Sequence, residues 1–252
     1  MTTLILGGMT IEDPQILKKA AELRGWKVVE IQGSPSTFTD GFKAIKDPVI
    51  YAAPGLAERM AAALNVDLIT VQETWLSNLP FQFTRRDIQL SVSTKHTYES
   101  LTYPKFIKPC TYKKFPAKVY NDDRQAKAAC RDALYYGPIY IQEPVEWEVE
   151  YRCFISNNKL QTLAPYKRNM KTDKYTIYQE EVDNCYYIVQ QMAEENCLPV
   201  TGTLDIGFIK NRGWAVVELN GAYGSGIYKL TNVNKVLDVL QATTVPRSKI
   251  LN

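Results

Sequence analysis

Histidine is almost missing from this chain: His96 is the only one in 252 residues. A histidine-rich metal centre is excluded on that count, and a Ser-His-Asp hydrolase has little to be built from. The five cysteines, at 110, 130, 153, 185 and 197, contain no CxxC pair, which argues against a disulfide scaffold and against a zinc site. No apolar run approaches the roughly 20 residues of a membrane span. The opening MTTLILGGMTIEDP lacks the basic start and long apolar centre of a signal peptide, so the expectation is a soluble, cytoplasmic protein. No GxGxxG accompanies Gly7-Gly8, which leaves a dinucleotide loop without its fingerprint. Nor is one sign of charge in excess. Thirty basic and 27 acidic residues give a net charge of +3, too balanced for non-specific nucleic-acid binding. What remains for chemistry is carboxylate, lysine and arginine.

What is present is a chain with two rhythms. It is 45% hydrophobic, enough for one large domain or two smaller ones. In the first third, apolar strands alternate with helices. Strands are expected at 3–6, Lys27–Ile31 and Pro48–Ala52, with a helix opening at Asp13-Pro14 and another marked by Leu56, Met60 and Leu64. That alternation predicts a parallel sheet with helices on its faces. A turn-rich stretch, 77–93, holds the expected domain boundary. Beyond it, strands at 105–108, 116–120 and Pro138–Gln142 surround a helix over 122–136. Two hairpins follow, one turning at Asn157-Asn158 and one at 211–213, with helices over 180–195 and 233–241. The second part therefore reads as α+β with antiparallel sheets. Five lysines and no acid fall within 105–118, between two of its strands, where an anion site is worth considering.

The last hairpin, TLDIGFIKNRGWAVVELN, concentrates acid at one end. Side chains alternate along a strand, so Glu218 and Asn220 point the same way. Pairing around 211–212 sets opposite residues to sum to about 423, which places Asp205 against Glu218. A polar face that is acidic by chance would give the same periodicity. The apolar run Ala215-Val216-Val217 before Glu218 implies burial, though, and a buried carboxylate pair without a cation is costly. Oxygen donors without histidine suit Mg²⁺.

An Asp followed by Glu-x-Asn on the next strand resembles the metal hairpin of ATP-grasp enzymes. The resemblance implies an N-terminal Rossmann-like α/β (pre-ATP-grasp) domain over 1–90. A compact two-subdomain ATP-grasp domain with antiparallel sheets would follow over 91–252, its small lysine-bearing part at about 91–142 and its metal-binding part at about 143–252. It further implies Asp205, Glu218 and Asn220 as ligands to two Mg²⁺ ions. Lys108 in FIKPC and Lys95 in STKHTYESL would reach the phosphates of ATP, with Lys113 or Lys114 in the covering loop. That loop lacks the glycines many relatives carry there. The strand end and linker Gln142, Glu143, Pro144, Val145 and Glu146 would meet adenine. Glu150 would take the ribose hydroxyls, with Glu148 as the fallback.

Arg152, two residues past Glu150, is the first candidate for the developing oxyanion, followed by Lys167 and Arg168. LPFQFTRRDIQ, KKF and EYR together resemble a phage and bacterial clade named for two arginines and a lysine, which would be Arg85 or Arg86, Arg152, and one of Lys108, Lys113 or Lys114. Arg86 joins the catalytic candidates. Arg85, Tyr223 and Lys229 are expected beside the substrate, with Tyr166 and Tyr228 as further lining. The activity implied is ligation of a small-molecule or peptide carboxylate to an amine through an acyl-phosphate. A small-molecule kinase and a non-catalytic nucleotide- or RNA-binding module are the alternatives.

Overall fold

The alternating segments of the first third close into a parallel sheet. In the computed structural model, which describes residues 1–9, 12–31, 39–110, 114–169, 171–172, 176–229 and 231–247, β1 (Thr3–Gly7) lies between β2 (Lys27–Ile31) and β3 (Pro48–Ala52). All five residues of β1 and all five of β3 are buried, the continuous apolar run of parallel strands covered on both faces. Helices α1 (Glu12–Leu23) and α3 (Pro54–Ala63) follow β1 and β3, and a single turn, α2 (Asp40–Lys43), is capped by the Thr39 hydroxyl, which accepts from the Phe42 amide. Pro54 starts α3, where its missing N–H costs nothing. A short strand, β4 (Val66–Leu68), ends this part.

The stretch expected to be turns holds α4 (Phe81–Thr84) and a strand, β5 (Ile88–Val92). The alternation Ile88, Leu90, Val92 was a signal for that strand. After α5 (Lys95–Glu99) come β6 (Lys105–Pro109), β7 (Lys118–Tyr120), α6 (Asp123–Asp132) and β8 (Pro138–Gln142). The four strands form an antiparallel sheet in the order β5-β8-β6-β7, so this sheet begins at Ile88, ahead of the boundary expected at 90/91.

The larger antiparallel sheet contains β9 (Trp147–Ser156), β10 (Lys159–Arg168), β11 (Lys171–Thr172), β12 (Thr201–Ile209) and β13 (Gly213–Asn220), in the order β11-β10-β9-β12-β13. The turn from β9 to β10 uses Asn157 and Asn158 at φ 52° and 57°, the left-handed pair that a tight hairpin requires. Helix α7 (Gln179–Glu194), between β11 and β12, covers one face of this sheet, packing on Tyr151, Cys153, Ile206 and Val216. The opposite face carries the polar residues Glu150, Arg152 and Asp205. Its far end is closed by α8 (Val233–Thr243), and β14 (Thr244–Pro246) then pairs with β4.

Phe154 sits where these parts meet. It is fully buried with Leu4, Leu6 and Tyr51 of the parallel sheet and with Val236, Leu237 and Leu240 of α8. Truncation there opens a cavity in a core shared by the first and last segments of the chain. Phe154→Ala is expected to cost about 3–5 kcal/mol of unfolding free energy, measured by urea titration.

One irregularity sets the site. At its turn the β12–β13 hairpin pairs Ile209 with Gly213, Phe208 with Trp214 and Ile206 with Val216, all summing to 422. A β-bulge then inserts Val217, and from Asp205 opposite Glu218 onward the sum is 423. Without that extra residue Glu218 would follow Val216 onto the α7 side, opposite Leu204 in an apolar core. With it, Glu218 and Asn220 turn to the polar face while Leu219 packs against the α7 core.

Candidate active site

The polar face gathers charges from four strands of the large sheet and one of the small sheet. Arg152 on β9 is the cross-strand partner of Asp205 on β12, and Asp205 is in turn the partner of Glu218 on β13. The guanidinium of Arg152 forks onto Asp205, donating from Nε to Oδ1 at 2.9 Å and from Nη2 to Oδ2 at 2.7 Å. The Lys108 ammonium on β6 reaches across from the small sheet to the Glu218 carboxylate. Asn220 donates its amide N–H to the other Glu218 oxygen at 2.9 Å. Glu150, buried on β9, accepts from the Tyr166 hydroxyl and the Lys167 ammonium, both on β10.

These environments push the two carboxylates of the hairpin apart. Burial raises the Asp205 carboxyl to about 6, against the opposing pull of Arg152. Burial acts the same way on Glu218, but the charge and hydrogen bond of Lys108 outweigh it and hold that carboxyl at about 2. Burial disfavours the Arg152 charge, yet the Asp205 carboxylate more than compensates and the guanidinium stays firmly protonated. Arg152 also lies 5.5 Å from the ring centres of Tyr166 and Tyr228, which stack on each other.

The expected residues divide by location. Asp205, Glu218, Asn220, Lys108, Arg152, Glu150 and Lys167 share one cluster. Arg168 does not belong to it. It pairs with Val149, one strand position away from Glu150, and its guanidinium forks onto Glu181 of α7 at 2.8 and 2.7 Å, behind the sheet. Strand alternation separates it from Arg152, so it has no place in chemistry on the polar face. Arg85, expected at the substrate, instead grips the hairpin turn by donating to the carbonyls of Arg212 and Trp214. Tyr223 is likewise a packing residue, 7% exposed among Leu56, Met60 and Ile50.

Arg86 is 2% exposed and donates four hydrogen bonds, to Gln142 and to the carbonyls of Thr84, Val216 and Val217. Gln142 thereby points inward to Arg86 rather than toward a ligand. Glu143 and Glu146, flanking Pro144 and Val145 in the strand-to-strand linker, are held by Arg212 and Lys210 of the hairpin tip. Lys95 is 81% exposed and pairs with Glu99 one turn along α5. Lys114 and Lys229 are exposed. Lys113 lies outside the described residues.

The loop after β13 is tied to the first third of the chain. Asp13 accepts from the Ile227 amide at 3.0 Å and the Tyr51 hydroxyl at 3.1 Å, and Tyr51 also donates to the Ser225 carbonyl at 3.0 Å. The sequence hid this contact, because Asp13-Pro14 reads as a helix start. A Cβ on Gly224 would come within 3.0 Å of Pro54, so this glycine serves close packing against the start of α3.

Among the described residues, no group of three or more His, Cys, Asp or Glu could hold a metal ion. An ion on this face would rest on the Asp205 and Glu218 carboxylates with the Asn220 amide oxygen. That sparse set of hard oxygen donors fits Mg²⁺, which fills the rest of its shell with water and phosphate. No helix among the described residues is long and apolar enough to cross a membrane.

Two α+β sheets that meet across a lysine and an acidic hairpin define the class: this is an ATP-grasp fold. Solved structures of similar fold align over most of the chain. D-alanine–D-alanine ligase from Bacillus anthracis complexed with ATP is 13% identical at TM-score 0.57, covering 96% of this chain and 95% of that one. L-amino acid ligase from Bacillus licheniformis is 15% identical at TM-score 0.56, covering 99% and 76%. The macrocyclase MdnC bound with precursor peptide MdnA from Microcystis aeruginosa is 11% identical at TM-score 0.53, covering 96% and 99%. The family that matches residues 83–239 is the second ATP-grasp domain family of the clade named for two arginines and a lysine, and the chain belongs to it. No curated protein matches significantly.

Proposed function

We propose that this protein is an ATP-dependent ligase joining a carboxylate to an amine, with an amino acid or peptide as the carboxylate substrate. The observation that carries the reading is the meeting of Lys108 from the small sheet with Glu218 from the large one, beside the Arg152–Asp205 pair. Every acid of the cluster is balanced by a cation of the protein. Mg²⁺ and a triphosphate bring the same two kinds of charge. Lys108 can pass from Glu218 to phosphate, and the freed carboxylate to the ion, without leaving any group unpartnered. In this reading residues 1–90 are the pre-ATP-grasp domain, and their contact with the 225–227 loop closes the substrate side.

In the proposed reaction the substrate carboxylate attacks the γ-phosphoryl group of ATP, releasing ADP and forming an acyl-phosphate. An amine then displaces phosphate to give the amide. Lys108 offsets charge on the phosphates as a point cation. In this reading Arg152, held by Asp205 and the two tyrosines, meets the negative charge that develops on the acyl oxygen. In this reading Glu150, beside Tyr166 and Lys167, takes the ribose hydroxyls. Mg²⁺, held by Asp205, Glu218 and Asn220, would supply neutralisation of phosphate charge and alignment of the transferring group. No side chain acts as a nucleophile, which agrees with a chain holding one histidine and cysteines whose thiols are raised by burial, as at Cys110, Cys153 and Cys197. The L-amino acid ligase and the peptide macrocyclase among the similar structures support an amino acid or peptide substrate.

The test is ADP release with Mg–ATP over pooled amino acids and peptides, with products resolved by mass. Equimolar ADP, free phosphate and an amide are expected. A phosphorylated product without free phosphate would make the protein a kinase. Absence of any Mg–ATP binding at millimolar concentration would reduce it to a binding module of another kind.

A further inference from the structure

We infer that Arg86 is a positioning residue for the metal hairpin: it clamps the β-bulge at Val217 and so keeps Glu218 on the polar face. This rests on the metal reading of Asp205, Glu218 and Asn220 proposed above.

A bulge leaves carbonyls without ladder partners, and a buried carbonyl must find a donor. The bulge in β13 lies between Val216 and Glu218. Arg86 supplies the donors: Nη1 reaches the Val216 carbonyl at 2.7 Å and Nη2 the Val217 carbonyl at 2.9 Å. Nη1 also donates to the Thr84 carbonyl at 3.0 Å and Nε to the Gln142 side chain at 2.9 Å. The guanidinium is thus used on four acceptors, two of them at the bulge. Its support is built in layers. The Trp147 ring lies 5.0 Å beneath it, and that ring fits because residue 207 is glycine: a Cβ there would come within 2.7 Å of Trp147 Cε3.

The arrangement carries an electrostatic cost. Burial depresses the Arg86 guanidinium to about 10, partly offset by Glu150, Glu218 and Glu143. A buried cation with no carboxylate in direct contact is an unfavourable way to hold a strand. An uncharged group would serve if only packing were needed. What the fork adds is simultaneous bonding to two successive carbonyls and to Gln142, at the end of β8. Arg86 therefore couples the bulge that aims Glu218 to the strand that enters the 143–146 linker. Lysine offers a point charge and cannot span these acceptors.

The experiment compares Arg86→Lys with the parent chain in two measurements. The first is Mn²⁺ affinity in the presence of ATP, read by electron paramagnetic resonance. The second is hydrogen–deuterium exchange of 213–220. Arg86→Lys should weaken Mn²⁺ binding at least about tenfold, the loss of one charge-assisted hydrogen bond or more. Metal-free ATP affinity should change much less, and exchange should rise in 213–220 but not in α7. Glu218→Ala is the reference: it should abolish Mn²⁺ affinity while leaving exchange in 213–216 near that of the parent. If Glu218→Ala leaves Mn²⁺ binding intact, the metal reading fails. If Glu218→Ala abolishes it while Arg86→Lys changes neither affinity nor exchange, the metal reading stands and the clamp is overturned. Should Arg86→Lys not fold, Gln142→Ala removes one acceptor alone. Affinity and exchange must then move together and by less, and an unchanged pair of values overturns the clamp.

Discussion

Glu218→Ala will lower Mg-dependent ADP release by about 10³-fold while leaving the protein folded. The size follows from losing one of two carboxylates that face the proposed ion, an interaction of roughly 4 kcal/mol in the transition state. The small effect on stability follows from exposure. Glu218 and its partner Lys108 keep 29% and 19% of their side-chain surface in solvent, so the unpaired lysine remains partly hydrated and the fold loses no more than about 1 kcal/mol. Glu181→Ala is the matched comparison. It breaks the Arg168 ion pair, with side-chain exposures of 22% and 17%, on the far side of the same sheet, and should leave the rate near that of the parent. Steady-state ADP release for the three proteins, with melting curves alongside, decides the matter. Glu218→Ala retaining more than about a tenth of the activity would remove this residue from the site.

The parts of the fold that follow from periodicity are legible in the residues alone: the parallel sheet of the first third, both hairpins, and the helices over 180–195 and 233–241. So is the opposition of Asp205 and Glu218, although the route to it is hidden. A turn taken at 211–212 gives the sum of 423 directly, whereas the structure pairs at 422 next to the turn and reaches 423 only through the bulge at Val217. The hint lies in WAVVELN itself, where strict alternation would place Trp214, Val216, Glu218 and Asn220 on a single face. Arg86 and Gln142 are legible as important but not in their roles, because an arginine that binds backbone carbonyls looks in sequence like one that binds a ligand. Arg168 shows the complementary error: proximity to Lys167 in sequence becomes separation by a whole sheet. The Asp13–Tyr51 contact to the 225–227 loop spans the length of the chain, and nothing local encodes it.

Arg152→Ala is expected to damage stability as well as rate, and the two losses can be separated. Asp205 keeps only 1% of its side-chain surface exposed and Arg152 12%, so their fork is a buried ion pair. Removing the cation alone leaves a buried carboxylate whose remaining side-chain hydrogen bond, among the described residues, is from the Tyr166 hydroxyl at 3.4 Å, too long to compensate. A loss of about 3–5 kcal/mol should result. Arg152→Lys should fall between, since an ammonium cannot fork onto both oxygens. Adding Asp205→Asn to Arg152→Ala removes the stranded charge and should recover about 2 kcal/mol, a coupling that urea titration of the two single variants and the double variant measures directly. Activity should not return with it, because the double variant lacks both the proposed ligand and the cation at the developing oxyanion. Additive stability losses would mean that the two charges are not coupled in the folded protein. A double variant with the parent's rate of ADP release would remove both residues from the chemistry.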